Sequence, residues 1–383
     1  MRIAYDGRPF SFNWIEGMLV YNKELMKQFF SHYPDHEYLF FFNSLKHRFD
    51  TISLLQNRQN VSRVVMPIPT VGRDRIDLKL FFDIGLPFYM KRHRIDLFHG
   101  LRYFVPPSKS VKVVTTFHDL FALTIPQFSP EASNRSRTAW YARAAERSTM
   151  IISASQATKN DLMRFYAVPD WRIRVVPLAP ASNFSPVTDT DRRQEIKSKY
   201  HLDFPYIMAL GGPHPRKNLE RVIMAFARFI GKGGSRHRLI FFGGSAGLLQ
   251  LWAPLIHRLK LDDLVQFICP VPDEDLPGMY SLADLFVYPS LYEGFGIPVV
   301  EAMSCGTPVI TSTISSMPEV AGGAAVLVDP ASVEELSEAM FHILDDQELR
   351  CGLIEKGLRR ASYFSWEKTA RMTMDVYQEA LAM

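Results

Sequence analysis

Glu293 and Glu301 stand eight positions apart in the run from Pro289 to Pro308, which reads as strand, glycine loop, short helix, turn, strand. Ile297-Pro298 suits a helix start, because a proline at the first helical position has a preset φ and no N–H to leave unused. Gly306 suits the position just past the helix end, and Pro308 blocks continuation. Gly294 and Gly296, on either side of Phe295, let a backbone approach a ligand closely, and the helix that follows aims unpaired N–H groups and partial positive charge at an anion. That is a phosphate seat. A carboxylate would repel a phosphate, so the two glutamates read as acceptors for hydroxyl donors on either side of it. Hydroxyls flanking a phosphate describe a nucleotide sugar.

The run Gly211-Gly212-Pro213-His214-Pro215-Arg216-Lys217-Asn218-Leu219 follows an apolar strand and opens a helix, with two cations at the opening. Arginine can grip phosphate oxygens through two donors, and lysine adds a compact charge. Thr115-Thr116-Phe117-His118-Asp119-Leu120 ends another strand. His118 there is placed to hydrogen-bond a sugar hydroxyl or a departing phosphate, and an ordinary imidazole pKa would permit proton traffic. Asp119 serves equally well as a cap for the next segment.

These segments resemble the retaining nucleotide-sugar glycosyltransferases of family 4, which have the two-domain GT-B fold. The likeness rests on the two glutamates together with Pro289-Ser290, Glu293-Gly294-Phe295-Gly296, Glu301-Ala302-Met303 and Cys305-Gly306-Thr307-Pro308. It implies that Glu293 contacts hydroxyls of the donor sugar and Glu301 holds the ribose. Lys217 is the closest match to the family's diphosphate element; many relatives carry an arginine where this chain has Gly212, a place that Arg216 is then expected to fill. His118 matches a histidine near the transferred sugar, and Gly17 is the candidate for an N-terminal glycine that approaches the donor phosphate. Cys269 to Asp275 and Tyr280 look like the loop and helix that hold the nucleobase. The likeness is specific over residues 205 to 330 and weaker over residues 1 to 180.

Strands and helices must position these groups. Short apolar runs alternate with helical patterns, as in a parallel sheet covered on both faces. The strand candidates are Ile3–Tyr5, Tyr38–Phe42, Val61–Met66, Leu97–His99, Val111–Thr116, Met150–Ser153 and Ile173–Val176, then Tyr206–Leu210, Leu239–Phe242, Val265–Ile268, Leu285–Tyr288, Val309–Thr311 and Ala325–Val328. Leu219, Val222, Ile223, Phe226 and Phe229 share one helix face. Two tandem, doubly wound Rossmann-like α/β domains follow, with a linker near residues 178–186. The first spans 1–180 and is the expected acceptor side; the second, 181–365, is the expected nucleotide-sugar side. By resemblance, the helix at 366–383 crosses back to the first and the site lies in a cleft between the two. Phe241 to Gly247 lacks the Lys-Ser ending of a triphosphatase loop and reads as a tight turn.

A chain of 383 residues with 47% hydrophobic and 22% charged residues is of ordinary globular composition. Three cysteines in no metal-binding spacing fit a reducing cytoplasm. Neither a signal peptide nor a transmembrane run is evident. The net charge of +4 hides an asymmetry: residues 1–180 hold 25 Lys plus Arg against 15 Asp plus Glu. Such a surplus suits an anionic membrane surface or a phosphate-bearing lipid-linked acceptor, or is simply a solvated basic face. The mixed aromatic and basic stretch from Leu78 to Arg94 is either a bilayer-resting element or a packed helix.

The expected chemistry is transfer of a hexose, with GDP-mannose as the candidate donor, to a hydroxyl of a glycan or lipid-linked acceptor in surface polysaccharide synthesis. No acidic cluster of the DxD type is evident, so neither metal nor cofactor is expected. Retention by same-face attack, with the diphosphate taking the acceptor's proton, is what the resemblance implies. A nucleotide-sugar epimerase and a non-catalytic nucleotide-sugar-binding subunit remain alternatives. A glycoside phosphorylase would need a lysine for pyridoxal phosphate, which nothing marks, and no nucleic-acid recognition motif is found.

Overall fold

A computed structural model describes residues 1–10, 16–42, 58–67, 79–233, 236–244 and 247–383. It divides into two compact units, Met1–Leu178 with Trp366–Met383, and Ala179–Ser365.

The first unit holds a parallel sheet of β1 (Arg2–Asp6), β2 (Glu37–Phe42), β3 (Val61–Val65), β4 (Leu97–Gly100), β5 (Lys112–Phe117), β6 (Met150–Ser153) and β7 (Ile173–Val175), in the order β3-β2-β1-β4-β5-β6-β7. The second holds β8 (Tyr206–Leu210), β9 (Arg238–Phe242), β10 (Val265–Ile268), β11 (Leu285–Tyr288), β12 (Val309–Ser312) and β13 (Val326–Val328), in the order β10-β9-β8-β11-β12-β13. Every strand expected from the apolar runs is present, with ends shifted by at most one residue. Their continuous apolar composition has a direct cause, since helices cover both faces of a parallel sheet. The helix Leu219–Gly231 buries Leu219, Val222, Ile223, Phe226 and Phe229 in the core of its unit, the face its spacing predicts.

Each strand order reverses once, between β1 and β4 in the first sheet and between β8 and β11 in the second. At such a reversal the connections leave toward opposite sides and open a crevice at the carboxyl ends of the strands. The loops after β8 and β11 therefore meet at one crevice in the second unit. In the first unit the equivalent place lies beyond β1 and β4, with the loop after β5 beside it. The helix Trp366–Ala382 packs within the first unit against the helix Glu16–His32 and β5. No helix among the described residues is long and apolar enough to cross a membrane.

Candidate active site

At the reversal in the second sheet, the loop after β11 places the Glu293 carboxylate among four donors. Its Oε1 accepts from Lys217 Nζ at 2.8 Å, Tyr288 Oη at 2.7 Å and Ser290 Oγ at 2.7 Å. Its Oε2 pairs with the Arg216 guanidinium. Burial works against ionisation here, but Lys217, Arg216 and the hydroxyl donors overcome it and hold the carboxyl well below the usual carboxylate range. Burial and the nearby Glu293 charge raise the Tyr288 phenol well above its ordinary value, so it stays a neutral donor.

Two loops far apart in sequence are knitted to make this cluster. The Arg216 carbonyl accepts from Leu291 N at 2.8 Å and lies 2.9 Å from Ser290 Oγ, which thus sits between it and Glu293. Asn218 adopts a left-handed conformation at φ 64° and is buried, donating to the carbonyls of Pro289 at 3.0 Å and Pro330 at 2.7 Å. Asparagine tolerates that conformation better than other non-glycine residues. On the far side of Glu293, Ser315 Oγ accepts from the Glu293 amide at 3.1 Å and donates to its carbonyl at 2.6 Å, while Ser316 Oγ bonds the carbonyls of Glu293 and Phe295, each at 2.9 Å. The loop is held at both ends.

Beyond it, Gly296 sits at φ 100° and precedes the helix Ile297–Ser304, with proline in the first turn. The positive φ favours glycine there, and a Cβ would also push aside the tip of the Met317 side chain. The helix ends in a Schellman motif: Gly306 N bonds Met303 O at 3.1 Å and Thr307 N bonds Ala302 O at 2.9 Å. Glu301 lies on this helix, half-buried, and accepts from Tyr280 Oη at 3.2 Å. Burial, aided by the Asp273 charge, pushes its carboxyl up to about 7 against the opposing Tyr280 hydrogen bond. The two glutamates thus differ sharply, one held ionised and the other poised near neutrality.

The structure departs from several sequence expectations. Glu293 is not a free acceptor, since it already engages both expected phosphate-binding cations. Phe295 offers only main-chain atoms, because its ring is buried against Phe364 at 5.4 Å. Asp275, in the segment resembling a nucleobase loop, is buried in ion pairs with Arg192 at 2.5 Å and Lys199 at 2.6 Å and anchors that segment. At Gly212 an added Cβ would meet only Lys217 Cγ at 3.6 Å, so the place where many relatives carry arginine has room for a side chain. Gly243 and Gly244 make the tight turn after β9, at φ 74° and 84°; Ser245 and Ala246 of that run lie outside the described residues, as does Leu78. Gly17 falls in the first turn of the helix Glu16–His32.

In the first unit His118 follows β5, and its Nε2 bonds the Leu101 carbonyl at 3.0 Å. Its pKa is not near neutral as expected: burial brings it down to about 4, partly offset by the Leu101 hydrogen bond. A neutral ring whose Nε2–H meets a carbonyl keeps Nδ1 as a lone-pair acceptor, which suits holding a hydroxyl better than shuttling protons. Asp119 is not the N-cap of the short helix Phe121–Thr124, which is Leu120, but from one residue earlier its Oδ1 accepts from Phe121 N at 3.3 Å. Sequence reasoning missed Tyr288, Ser315 and Ser316, and it named Ser290 and Tyr280 without their bonds to the glutamates; serines and tyrosines carry no local mark of which side chain they meet.

Two family profiles and several known proteins match the chain. The profile of "Glycosyl transferases group 1" matches residues 191–360, and that of "Glycosyltransferase Family 4" matches residues 18–179. The O-antigen chain mannosyltransferase B of Escherichia coli is 32% identical over 290 residues, covering 76% of this chain and 76% of that protein. The chain belongs to the group 1 glycosyltransferases. The serotype-specific mannosyltransferase WbdA of Escherichia coli is 30% identical to this glycosyltransferase over 242 residues, 62% of this chain and 29% of that protein. Among solved structures, sucrose-phosphate synthase from Thermosynechococcus elongatus superposes with a TM-score of 0.78 at 21% identity, covering 100% of this chain and 99% of that one. The shared fold is GT-B.

The cluster around Glu293 makes a stability prediction. Glu293→Gln keeps the side-chain volume but leaves Arg216 and Lys217 without their counter-charge, and breaking such a buried pair costs about 3 kcal/mol. Because the carboxyl pKa is depressed in the folded state, the deficit should be full above the ordinary glutamate value of 4.5 and shrink as the pH falls below it. Urea unfolding from pH 7 to pH 3 measures this; equal stability of the two proteins at pH 7 would contradict it.

Proposed function

We propose that this glycosyltransferase moves a hexose from a nucleoside-diphosphate sugar to a hydroxyl of a glycan or lipid-linked acceptor, retaining the anomeric configuration, in surface polysaccharide synthesis. The observation that carries the proposal is the cluster of Glu293, Arg216 and Lys217 at the strand-order reversal, beside a glycine loop that leads into a helix N-terminus. Mannose is the sugar proposed, and GDP the nucleoside diphosphate. The mannosyltransferase names of the 32% and 30% identical relatives support the sugar.

Breaking the bond between sugar and diphosphate develops negative charge on the leaving group. Arg216 and Lys217 supply fixed positive charge where that forms, without needing to reorganise. Glu293 holds both cations before the donor arrives. The diphosphate then competes with Glu293 for Arg216, and the released Oε2 is the acceptor for a sugar hydroxyl, while Tyr288 and Ser290 keep Oε1 in place. Glu301 takes the ribose hydroxyls, and its ionised form does so best. His118 receives a sugar hydroxyl on Nδ1. The departing diphosphate accepts the proton of the attacking hydroxyl on the face it vacates, so no metal and no cofactor enters this scheme.

Peripheral contact with an anionic membrane belongs to the same proposal. Ile84 and Phe88 are 63% and 64% exposed, one helical turn apart, with Lys91 and Arg92 following. Apolar side chains beside cations suit the headgroup boundary of an anionic bilayer.

A thermal-shift panel of UDP, GDP and ADP sugars should give GDP-mannose the largest stabilisation, and Glu293→Ala should abolish transfer while GDP still binds. Turnover surviving in that variant would remove Glu293 from the reaction. For Glu301, affinity for GDP-mannose, whose diphosphate does not itself titrate near neutrality, should weaken up to about tenfold from pH 8 to pH 6 as the carboxyl protonates. Glu301→Gln should flatten the profile; an unchanged slope would place the titration elsewhere. Flotation with phosphatidylglycerol vesicles should recover the wild-type chain and much less of an Ile84→Ser, Phe88→Ser double variant, and equal recovery would exclude this contact.

A further inference from the structure

A second polar cluster lies entirely within the first unit and plays no part in the scheme above. His99 on β4 is fully buried, with Nδ1 2.5 Å from Tyr377 Oη and Nε2 2.8 Å from Thr116 Oγ1. The Tyr377 hydroxyl lies 3.2 Å from that of Tyr5 on β1, and Thr116 Oγ1 on β5 lies 3.0 Å from the hydroxyl of Tyr21 on the helix Glu16–His32. Five buried groups form one unbranched chain of four hydrogen bonds, drawn from three strands, the first helix and the C-terminal helix. All are neutral: burial brings His99 down to about 3 and raises the phenols of Tyr5, Tyr21 and Tyr377 well above the ordinary value. A neutral imidazole has one donor and one acceptor nitrogen, so His99 makes every bond in the chain point the same way. Such chains strengthen cooperatively, and losing one member leaves its neighbours buried and unsatisfied.

The chain ends against the candidate site. The Tyr21 ring stands edge-on to the His118 ring, centroids 4.6 Å apart and planes at 81°. Trp366, at the start of the C-terminal helix, packs against the same ring, centroids 5.9 Å apart and planes at 57°. Tyr21 is therefore held by its hydroxyl through Thr116 and His99, and by its ring against Trp366 and His118. His118 itself has a single hydrogen bond among the described residues, to Leu101, and that bond alone leaves the ring free to swing about the Nε2 to carbonyl axis.

We infer that Tyr377, His99, Thr116 and Tyr21 are positioning residues for His118: the hydrogen-bonded chain run out from the C-terminal helix fixes the Tyr21 ring, which sets the imidazole plane and presents Nδ1 as an acceptor. This rests on the reading that His118 meets the donor sugar. It gives the C-terminal helix a role in the site although none of its residues belongs to the loops that form it. Tyr377→Phe keeps the ring and removes one hydroxyl, leaving His99 Nδ1 without a partner.

The test uses the full chain labelled with ¹⁵N-histidine at pH 7.5, with His118 signals assigned by their loss in His118→Gln. The wild type should show His118 as a single Nε2–H tautomer, and Tyr377→Phe should move it to an exchange-broadened mixture. Tyr21→Phe, which cuts the same chain at its other end, should do likewise and serves if Tyr377→Phe fails to fold. Thr369→Ala is the control: it removes the hydrogen bond that ties the same helix to the Pro177 carbonyl at 2.7 Å without touching the chain, so it should lower Tm and leave His118 unmoved. His118 signals unchanged in both phenylalanine variants, or moved equally by Thr369→Ala, overturn the inference. With GDP-mannose as donor, Tyr377→Phe should lower kcat about tenfold, the size of one misplaced hydrogen bond, with KM within about twofold. A moved tautomer with unchanged kcat would uphold the positioning chain and remove His118 from the reaction.

Discussion

A carboxylate with almost no water around it remains ionised only if cations and hydroxyls replace the water, and the second unit is organised around meeting that condition at Glu293. Arg216 and Lys217 come from the loop after β8, Tyr288 and Ser290 from β11 and its loop. Neither loop is held by its own residues alone. Asn218 ties the first to the second through Pro289, and Ser315 and Ser316 tie the second to the segment after β12. Three neighbouring strands of a parallel sheet thus send their following loops into a single charge cluster. The strand order makes this possible, because β8 and β11 are adjacent in the sheet although 74 or more residues separate them in the chain.

The same fold solves a different problem in the first unit. There the groups joined through His99 are neutral and sealed, and among them a uniform direction of hydrogen bonding takes the place of opposed charge as the ordering device. One cluster is ordered by opposed charge, the other by aligned hydrogen bonds. Their contents follow from burial: full enclosure brings His99 down to about 3, whereas Glu293 keeps its charge only because two cations accompany it.

How much of this could be read beforehand follows from the range of each signal. Strands buried on both faces leave continuous apolar runs, so β1 to β13 were legible almost to the residue. The glycine loop, the proline at the helix start and Gly306 past its end are local and were legible too. Ser315 and Ser316 were not, because a serine that bonds a carbonyl 22 or 23 residues away has no local mark. Tyr377 and His99 lie 278 positions apart and meet only after the chain has returned to its first sheet. Glu293 was legible as a site residue, but not its engagement with Arg216 and Lys217, since spacing carries no information on which side chain turns toward which. The depressed pKa of His118 was hidden for the same reason, being set by enclosure and not by identity.

The open space at Gly212 bears on which positions around the charge cluster can change. An added Cβ there meets only Lys217 Cγ at 3.6 Å, so the backbone is not crowded into glycine by its neighbours. A side chain could enter at position 212 beside Lys217 without displacing main chain, whereas Gly296, at φ 100°, is held to glycine by its backbone. Of the two glycines, one is a fixed hinge of the architecture and the other an open position at which the surface beside the charge cluster can change while the fold does not.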